Sequence, residues 1–408
     1  MSVGIFTTQQ LTQDLAKKSF QGFITRLMPN GTAPLFGMTS MLTSETALQV
    51  EHGFFTKTML FPQFQISSAV AAGDTVINVY SVTNLLPGQI HRFSDTGENI
   101  IINSIIGATQ ISVSRAIGTV AAQAVSVGAT VGYAYQVGNA YEEGSLRPNS
   151  LIINPVRITN YTQIFRNTWA ISDTIRATQM LVGETNIAES RQDCAAFHAA
   201  DIEKALFFGQ KSQGNRNGQP FRTLDGLISI VGNLSYYPGY YSASNVNTAG
   251  STTNYTQLEG FLDPVFNQAT DPKVANERVL FVGGAAKRVL NNIGRLNGTY
   301  YMVDGQTSWG LQFSTIKTAR GTFRVIEHPL FNTNSSWGKM AVAVDLSTFT
   351  LAYLGDRKTQ NKEFNMDMDA NDNGIDAVGG TLTTELTTVI RNPPANSIIY
   401  NLTAAAQG

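Results

Sequence analysis

The stretch from Glu184 to Phe208, ETNIAESRQDCAAFHAADIEKALFF, is the longest element that the sequence predicts. Its apolar and small side chains recur at spacings of three and four, whereas charged residues such as Glu203 and Lys204 lie off that stripe. This spacing is typical of an amphipathic helix. A helix of this length would measure about 40 Å, and Gly209 follows where a C-terminal cap belongs.

The chain upstream begins with two segments of different character. From Leu11 to Met28 apolar residues recur at helical spacing, and Pro29 ends the pattern. The following Ala33-Pro34-Leu35-Phe36-Gly37 predicts an irregular arm with exposed apolar side chains. Such an arm either meets a partner surface or folds back on its own chain, and the pattern leaves both open.

The next hundred residues are rich in β-type patterns. From Thr46 to Ile66 aromatic and aliphatic residues dominate, and Pro62 indicates an edge or a bend. The residue pattern changes at Ser67, and from Gly73 to Tyr135 short strand-like runs alternate with glycine turns. Close spacing of this kind predicts a small all-β sandwich or barrel, inserted into the rest of the chain.

Beyond the long helix the pattern is mixed. A linker over Gln210 to Gln219 and a long loop over Ser235 to Thr253 flank segments with alternating helical and strand-like spacing. Thr381 to Arg391 then predicts a long strand and Ile398 to Leu402 a short one. The expected fold class is α+β.

Composition narrows the function classes. Charged residues make up 14% of the 408 residues, against about 25% in an average soluble protein. Lys and Arg total 28 and Asp and Glu 29, so the net charge is -1. A chain this close to neutral is not expected to bind nucleic acid avidly, because proteins that do so usually carry a clustered excess of basic residues.

Targeting and redox signals are sparse. Cys194 is the only cysteine, which excludes an intrachain disulfide and favours a reducing compartment. Met1 to Gln10 lacks a secretory signal pattern, and no run of about 20 apolar residues predicts a membrane span. We expect a soluble protein made in the cytoplasm, without membrane contact.

Cys194 and His198 form the first of three patterns that suggest chemistry. They stand one helical turn apart, as two metal ligands would. A zinc site needs three or four ligands, however, and the neighbours on that stripe are apolar, so a core role is favoured.

Two loops complete these patterns. Gly283-Gly284-Ala285-Ala286-Lys287 lies between a predicted strand and helix but lacks the phosphate-loop spacing, so a tight turn is favoured. Asp369 to Ile375 copies half of a calcium loop, yet its twelfth position is Gly380 rather than glutamate. A polar hairpin loop is favoured there, with a weak cation site involving Asp367 or Asp376 as the alternative. We therefore predict no enzyme activity, no catalytic residues, no cofactor and no resident metal.

Several short motifs, in this order, suggest a family: Pro87-Gly88-Gln89-Ile90, Thr96-Gly97-Glu98-Asn99-Ile100, Tyr141-Glu142-Glu143-Gly144, Asn160-Tyr161-Thr162-Gln163-Ile164-Phe165 and Phe207-Phe208-Gly209. With the order of elements, they resemble a tailed-phage major capsid protein with the HK97-like fold, of the branch with a β-rich insertion near the extended loop. The resemblance implies five regions: an N-terminal arm (1–44), an extended loop (45–149) with an inserted all-β domain at about 67–140, a peripheral domain (150–223) with spine helix 184–208, an axial α/β domain (224–341), and returning peripheral strands and tail (342–408).

This resemblance implies a major head protein that self-assembles into hexamers and pentamers of an icosahedral bacteriophage shell around double-stranded DNA. Copies of itself are the expected partners, along with portal, scaffold and decoration proteins and weak non-specific contact with the packaged DNA. Assembly in the host bacterial cytoplasm and residence in the virion follow. The candidate subunit contacts are apolar residues of the extended loop, with an intrachain core as their alternative: Phe54, Phe55, Leu60, Phe61 and Phe64.

Two other functions remain open. An encapsulin-type compartment shell would use the same fold to hold cargo enzymes. A carbohydrate-binding or host-binding protein would use the β-rich section and the tyrosine-containing loop as a ligand platform.

Overall fold

The computed structural model describes residues 33–57, 62–128, 131–152, 154–178, 186–236, 245–267, 276–297, 303–308, 311–365 and 376–406. The chain divides into two compact units. The first comprises Met1–Gly53, Thr159–Asn233 and Ala243–Gly408, and the second Phe54–Ile158 with Leu234–Ser242. The helix predicted over 11–28 lies outside the described residues. Helices and sheets together confirm the α+β class.

The α-helices of the first unit are α1 (Pro34–Met41), α2 (Asp173–Ala177), α3 (Asn186–Phe208), α4 (Leu227–Gly232), α5 (Tyr255–Leu262) and α6 (Gly284–Asn297). The 3-10 turns are Leu234–Tyr236, Asp263–Phe266, Pro329–Thr333, Trp337–Lys339 and Pro393–Ala395. The dominant helix predicted from the sequence is α3. Helix α5 begins with a capping box, in which the side chains of Asn254 and Gln257 each accept a backbone N–H of the other residue.

The strands are β1 (Glu45–Ala47), β2 (Glu51–Thr56), β3 (Gln63–Gln65), β4 (Val76–Asn78), β5 (Gln89–Phe93), β6 (Asn99–Gly107), β7 (Gln110–Ser114), β8 (Tyr133–Asn139), β9 (Val156–Tyr161), β10 (Gln163–Ser172), β11 (Ser212–Arg216), β12 (Gln219–Thr223), β13 (Val246–Thr248), β14 (Glu277–Val282), β15 (Val303–Ser308), β16 (Leu311–Lys317), β17 (Thr322–Glu327), β18 (Ala341–Val344), β19 (Phe349–Leu354), β20 (Gln360–Asn365), β21 (Ala377–Ile390) and β22 (Ser397–Tyr400).

One sheet of the first unit is built around the long strand β21. Within the described ranges its order is β1-β19-β21-β10, and β20 also pairs with β21. Strand β10 runs antiparallel to β21 from Gln163, opposite Leu386, to Ser172, opposite Ala377. Helix α3 packs on β10 and β21. His198 of α3 joins them, since its ring nitrogens lie 2.6 Å from Asn167 Oδ1 and 2.8 Å from Thr384 Oγ1.

The second sheet of the first unit has the order β13-β22-β18-β14-β17-β16-β15 among the described residues. Strands β14 and β17 are parallel, and α6, β15 and β16 lie between them along the chain; β14 is buried after its first residue, and β17 is buried at Phe323, Val325 and Ile326. Apolar side chains of α5, α6 and the central strands form one core. A hairpin of β11 and β12 forms a separate two-stranded sheet that contacts β10, with Asn217 and Gly218 at positive φ in its turn.

The segment 342–408, for which the resemblance predicts returning peripheral strands and a tail, is divided between the two sheets. In the structure, β19 and β21 lie in the first sheet, but β18 and β22 lie in the second and pair with each other there. Both strands are buried, and β22 contacts α5, so the tail completes the core of the second sheet.

The second unit is a six-stranded sheet in its described part, with the order β3-β8-β5-β6-β7-β4. Alternate side chains such as Phe64, Phe93 and Ile100 face its core. The strand-like runs predicted between Gly73 and Tyr135 fall on β4, β6, β7 and β8. A two-stranded ribbon of β2 and β9 carries the chain into and out of this unit.

The arm predicted at Ala33 to Gly37 is regular and buried, which corrects the expectation of exposed apolar side chains. Residues 34–41 form α1, with Leu35 and Met38 in the core and Pro34 in the first turn. Helix α1 packs on α3. Folding back on its own chain, the alternative left open by the sequence, is therefore what this segment does.

Candidate subunit-interaction surface

The second unit exposes an unusually long stretch of chain. Every described residue from Asn139 to Arg157 is exposed, and between β8 and β9 no regular strand or helix forms in the described positions. Long loops without secondary structure are commonly functional. We define the loop surface as residues 54–57 together with 139–152 and 154–157.

Large apolar side chains stand out from this loop surface. Phe55 is 69% exposed, Leu146 92% and Ile152 71%, with Leu151 and Val156 also exposed. Scattered exposed apolar residues are normal on monomers, whereas several along one segment indicate an interaction surface. Sequence reasoning missed Leu146 because it is isolated between Ser145 and Arg147, and it missed Ile152 because the short apolar run over 151–153 has no alternation that would mark an exposed side chain.

The candidate contacts named from the sequence separate into three groups. Phe55 is exposed and Phe54 half-buried, both on β2. Leu60 and Phe61 lie outside the described residues. Phe64 is only 3% exposed and packs 5.2 Å from the His91 ring and 6.2 Å from the Phe93 ring, measured between centroids. Phe64 therefore belongs to the intrachain core, which corrects its assignment as a subunit contact.

The start of the exposed stretch is fixed by a close backbone approach. The Tyr141 ring lies over Gly88, whose φ is +86°, and a Cβ at Gly88 would stand 2.4 Å from that ring. Tyr141 donates its hydroxyl to the Pro87 carbonyl at 3.2 Å, and the Ala140 N–H donates to the Gly88 carbonyl at 2.9 Å. Glycine is required here both by its backbone conformation and by the ring above it.

A buried carboxylate fixes α1 in the first unit. Glu203 of α3 has no exposed surface. It accepts the backbone N–H groups of Leu35 at 2.9 Å and Phe36 at 2.7 Å, and its Oε1 lies 2.7 Å from His328 Nε2. The first N–H groups of a helix lack partners within the helix. Glu203 therefore caps α1 from 167 residues away along the chain.

The patterns that suggested chemistry are structural where they are described. Cys194 and His198 are buried, and the described residues hold no group of three His, Cys, Asp or Glu side chains suited to a metal ion. Gly283 forms a tight turn before α6, where a Cβ would stand 2.4 Å from the Gly338 carbonyl oxygen. The Gly284 N–H already donates to Asn332 Oδ1 at 2.7 Å. The calcium-like loop from Asp369 lies outside the described residues.

Comparison with known proteins identifies the family. A family model described as SU10 major capsid protein matches residues 5–403. The chain is 35% identical to the major capsid protein of Pseudomonas phage PaMx41, over 99% of this chain and 97% of that protein. The chain belongs to the SU10 major capsid protein family. The predicted resemblance to a tailed-phage major capsid protein is therefore confirmed.

Solved structures similar to this family member are more distant. The chain is similar to a structure from Microbacterium phage Oxtober96, with a TM-score of 0.49 and 10% identity over 98% of this chain and 99% of that one. It is also similar to the capsid of a native GTA particle, with a TM-score of 0.46 and 9% identity over 98% of each chain. The assignment rests on the family match and the phage relative. As a phage major capsid protein, the chain is a structural component of the virion capsid.

No helix in the described part of this capsid protein is both long enough and apolar enough to cross a membrane.

Proposed function

We propose that copies of this chain assemble into the hexamers and pentamers of an icosahedral head that encloses double-stranded DNA, built in the cytoplasm of the host bacterium. The exposed apolar residues of the loop surface carry this proposal, because their burial against a neighbouring copy would release water from side chains that the subunit itself leaves exposed. Portal, scaffold and decoration proteins are the further partners of such a shell.

The proposed regions follow the order of the chain. Residues 45–149 form the extended loop, with the six-stranded sheet of β3 to β8 as its inserted all-β domain. Helix α3 is the spine of the peripheral domain. The sheet centred on β14 and β17 belongs to the axial domain, to which we also assign β18 and β22 because they pair within it.

The proposed subunit contacts are Phe54, Phe55, Leu146 and Ile152, with Leu60 and Phe61 retained from the sequence. A near-neutral chain suits this role, because identical copies packed edge to edge would otherwise repel one another. No chemical step is required of any of these residues. Their contribution is buried interface area.

The substitution Phe55→Asp tests this function. It removes an exposed aromatic residue and adds a charge that would be costly to bury at an interface. We expect subunits whose circular dichroism and melting temperature match the wild type but which form no shells in negative-stain electron microscopy.

Phe55→Leu is the matched control and should still assemble, since it keeps an apolar side chain. Phe64→Asp should instead unfold the second unit, because it places a carboxylate in a closed core. Normal shells from Phe55→Asp would contradict the proposed contact.

A further inference from the structure

One groove of the first unit is lined by unpaired positive charge. It has a volume of about 640 Å³ and lies between α6 and the tail residues Thr403 to Ala405. Arg288, Asn292 and Arg295 line it from α6, and none of the described residues that line it is acidic. In a chain with a net charge of -1, this is a local excess of cations.

The spacing of the two arginines matters. Arg288 and Arg295 are seven residues apart and both line the groove, so their backbones stand about 10 Å apart along the helix axis. Both side chains are exposed, and within the described part of the chain neither guanidinium has an ion pair or hydrogen bond. By contrast, the neighbouring Lys287 lies 3.4 Å from Glu327. The two arginines are therefore available to an external anion.

The groove offers little to an apolar partner. Its apolar lining is mostly alanine, Val289 is already buried, and Leu296, which is 45% exposed, is the one large apolar side chain that its described lining exposes. Protein interfaces are usually anchored by a cluster of large apolar or aromatic residues, and a single leucine among alanines does not form one. A repeated anion fits better. Phosphates of one DNA strand recur about every 3.4 Å along the duplex axis, so guanidiniums about 10 Å apart can each meet one.

We infer that this groove contacts the phosphate backbone of the packaged double-stranded DNA through Arg288 and Arg295, which places this face of α6 toward the interior of the shell. The inference rests on the proposed function and names the DNA-facing surface of the same subunit. Two phosphate contacts give weak binding without sequence preference, so the inner surface of the shell contacts the DNA without binding it tightly.

The test is the salt dependence of DNA binding by the full-length protein, measured by fluorescence anisotropy with a short labelled duplex. Neutralising about two phosphates contributes about -1.8 to the slope of log K against log salt concentration. The double variant Arg288→Gln with Arg295→Gln should lose that contribution. Wild-type affinity should therefore fall about tenfold more than that of the variant between about 50 and 200 mM salt.

Two variants control for charge and folding. Arg288→Lys with Arg295→Lys keeps both charges and should restore the slope. Arg92→Gln with Lys317→Gln removes two cations from exposed positions elsewhere and should leave the slope unchanged. An equal loss of slope in this second pair would overturn the inference, because the effect would then reflect net charge alone.

Electron microscopy separates this inference from the proposed function. We expect shells from the wild type and from the glutamine pair at α6. Normal shells with an unchanged salt slope would overturn the DNA contact while leaving assembly intact. Shells from the wild type but none from the pair would make the groove a subunit interface instead. Absence of shells from the wild type would contradict the proposed function itself.

Discussion

At the scale of single residues, the second unit holds a fully buried carboxylate that is saturated with donors. Arg115 donates to Glu98 through two nitrogens at 2.7 and 2.6 Å, and the Ala116 and Gln123 N–H groups donate at 3.1 and 3.2 Å. Burial raises the pKa of Glu98, but these hydrogen bonds outweigh it and the net pKa is lowered. Glu98 therefore stays ionised and ties the segment from Arg115 to Gln123 to the sheet.

The pKa of His91 in the same core is lowered by burial, which outweighs the opposing effect of a hydrogen bond to the Ala134 backbone. His91 has no exposed surface, and burial lowers its pKa from 6.5 to about 4. The unfolded chain binds a proton at higher pH than the folded one, so acidification favours unfolding. The stability that neutral, buried His91 contributes to the folded state is fully present above its unfolded pKa of 6.5 and is lost as the pH falls toward 4. The lowered pKa of Glu98 likewise makes the folded state less stable as the pH falls.

We predict that replacing His91 with phenylalanine reduces the acid sensitivity of the second unit. Between pH 7 and 4.5 the wild type should lose about 2 to 3 kcal/mol of unfolding free energy through His91, a loss that phenylalanine cannot contribute. Urea unfolding of the full-length protein, followed by tyrosine circular dichroism at both pH values, measures the difference. An equal loss in both proteins would show that His91 does not titrate in this range.

At the scale of elements, α1 depends on one side chain of α3. Glu203 offers both carboxylate oxygens, Oε1 to Leu35 and His328 and Oε2 to Phe36. Glutamine has nearly the same shape but only one acceptor, so its NH₂ group would face a donor. We predict that Glu203→Gln costs about 2 to 4 kcal/mol of stability and releases α1 first. Amide hydrogen exchange at Leu35 to Met38 should become faster than in the wild type.

Asp201 gives a matched control on the same helix. Its carboxylate is half-exposed and lies 3.7 Å from Lys204, one turn away. Asp201→Asn should change stability by less than about 0.5 kcal/mol, because exposed ion pairs contribute little. If Glu203→Gln were equally mild, α1 would be anchored by the packing of Leu35 and Met38 rather than by its cap.

Local patterns account for the elements that the sequence predicted well. Helix α3 follows from its apolar spacing, and strands β4, β6, β7 and β8 follow from alternation between glycine turns, since both signals lie within a few residues. The arm was mispredicted because its cap comes from Glu203, far along the chain. Strands β18 and β22 are buried, so nothing in their own sequence distinguishes the sheet that they join.

The candidate surface was predicted in part for a similar reason. Aromatic residues between Phe54 and Phe64 marked the region, but only the structure separates exposed Phe55 from buried Phe64. Phe64 faces inward because it alternates with Gln63 and Gln65 on a short strand, and alternation over three residues is too brief a signal to read. The sequence does not indicate that the two arginines of α6 line one groove, because the groove forms only where the tail lies beside that helix.

At the scale of the whole molecule, composition sets how assembly should respond to salt. With a net charge of -1 and 14% charged residues, identical copies repel one another weakly at long range. The proposed contacts are apolar, and burial of apolar surface is not screened by simple salts as ion pairs are. Shell formation and DNA contact should therefore depend on salt differently.

We predict that the extent of shell formation, followed by light scattering of purified subunits, changes less than about twofold between about 50 and 500 mM sodium chloride. Over that range the screening length falls from more than 10 Å to a few ångströms, which would strongly alter an interface dominated by charges. DNA binding through Arg288 and Arg295 should weaken steeply over the same range. Assembly that falls as steeply as DNA binding would instead mean that ion pairs, rather than Phe55 and its neighbours on the loop surface, hold the subunits together.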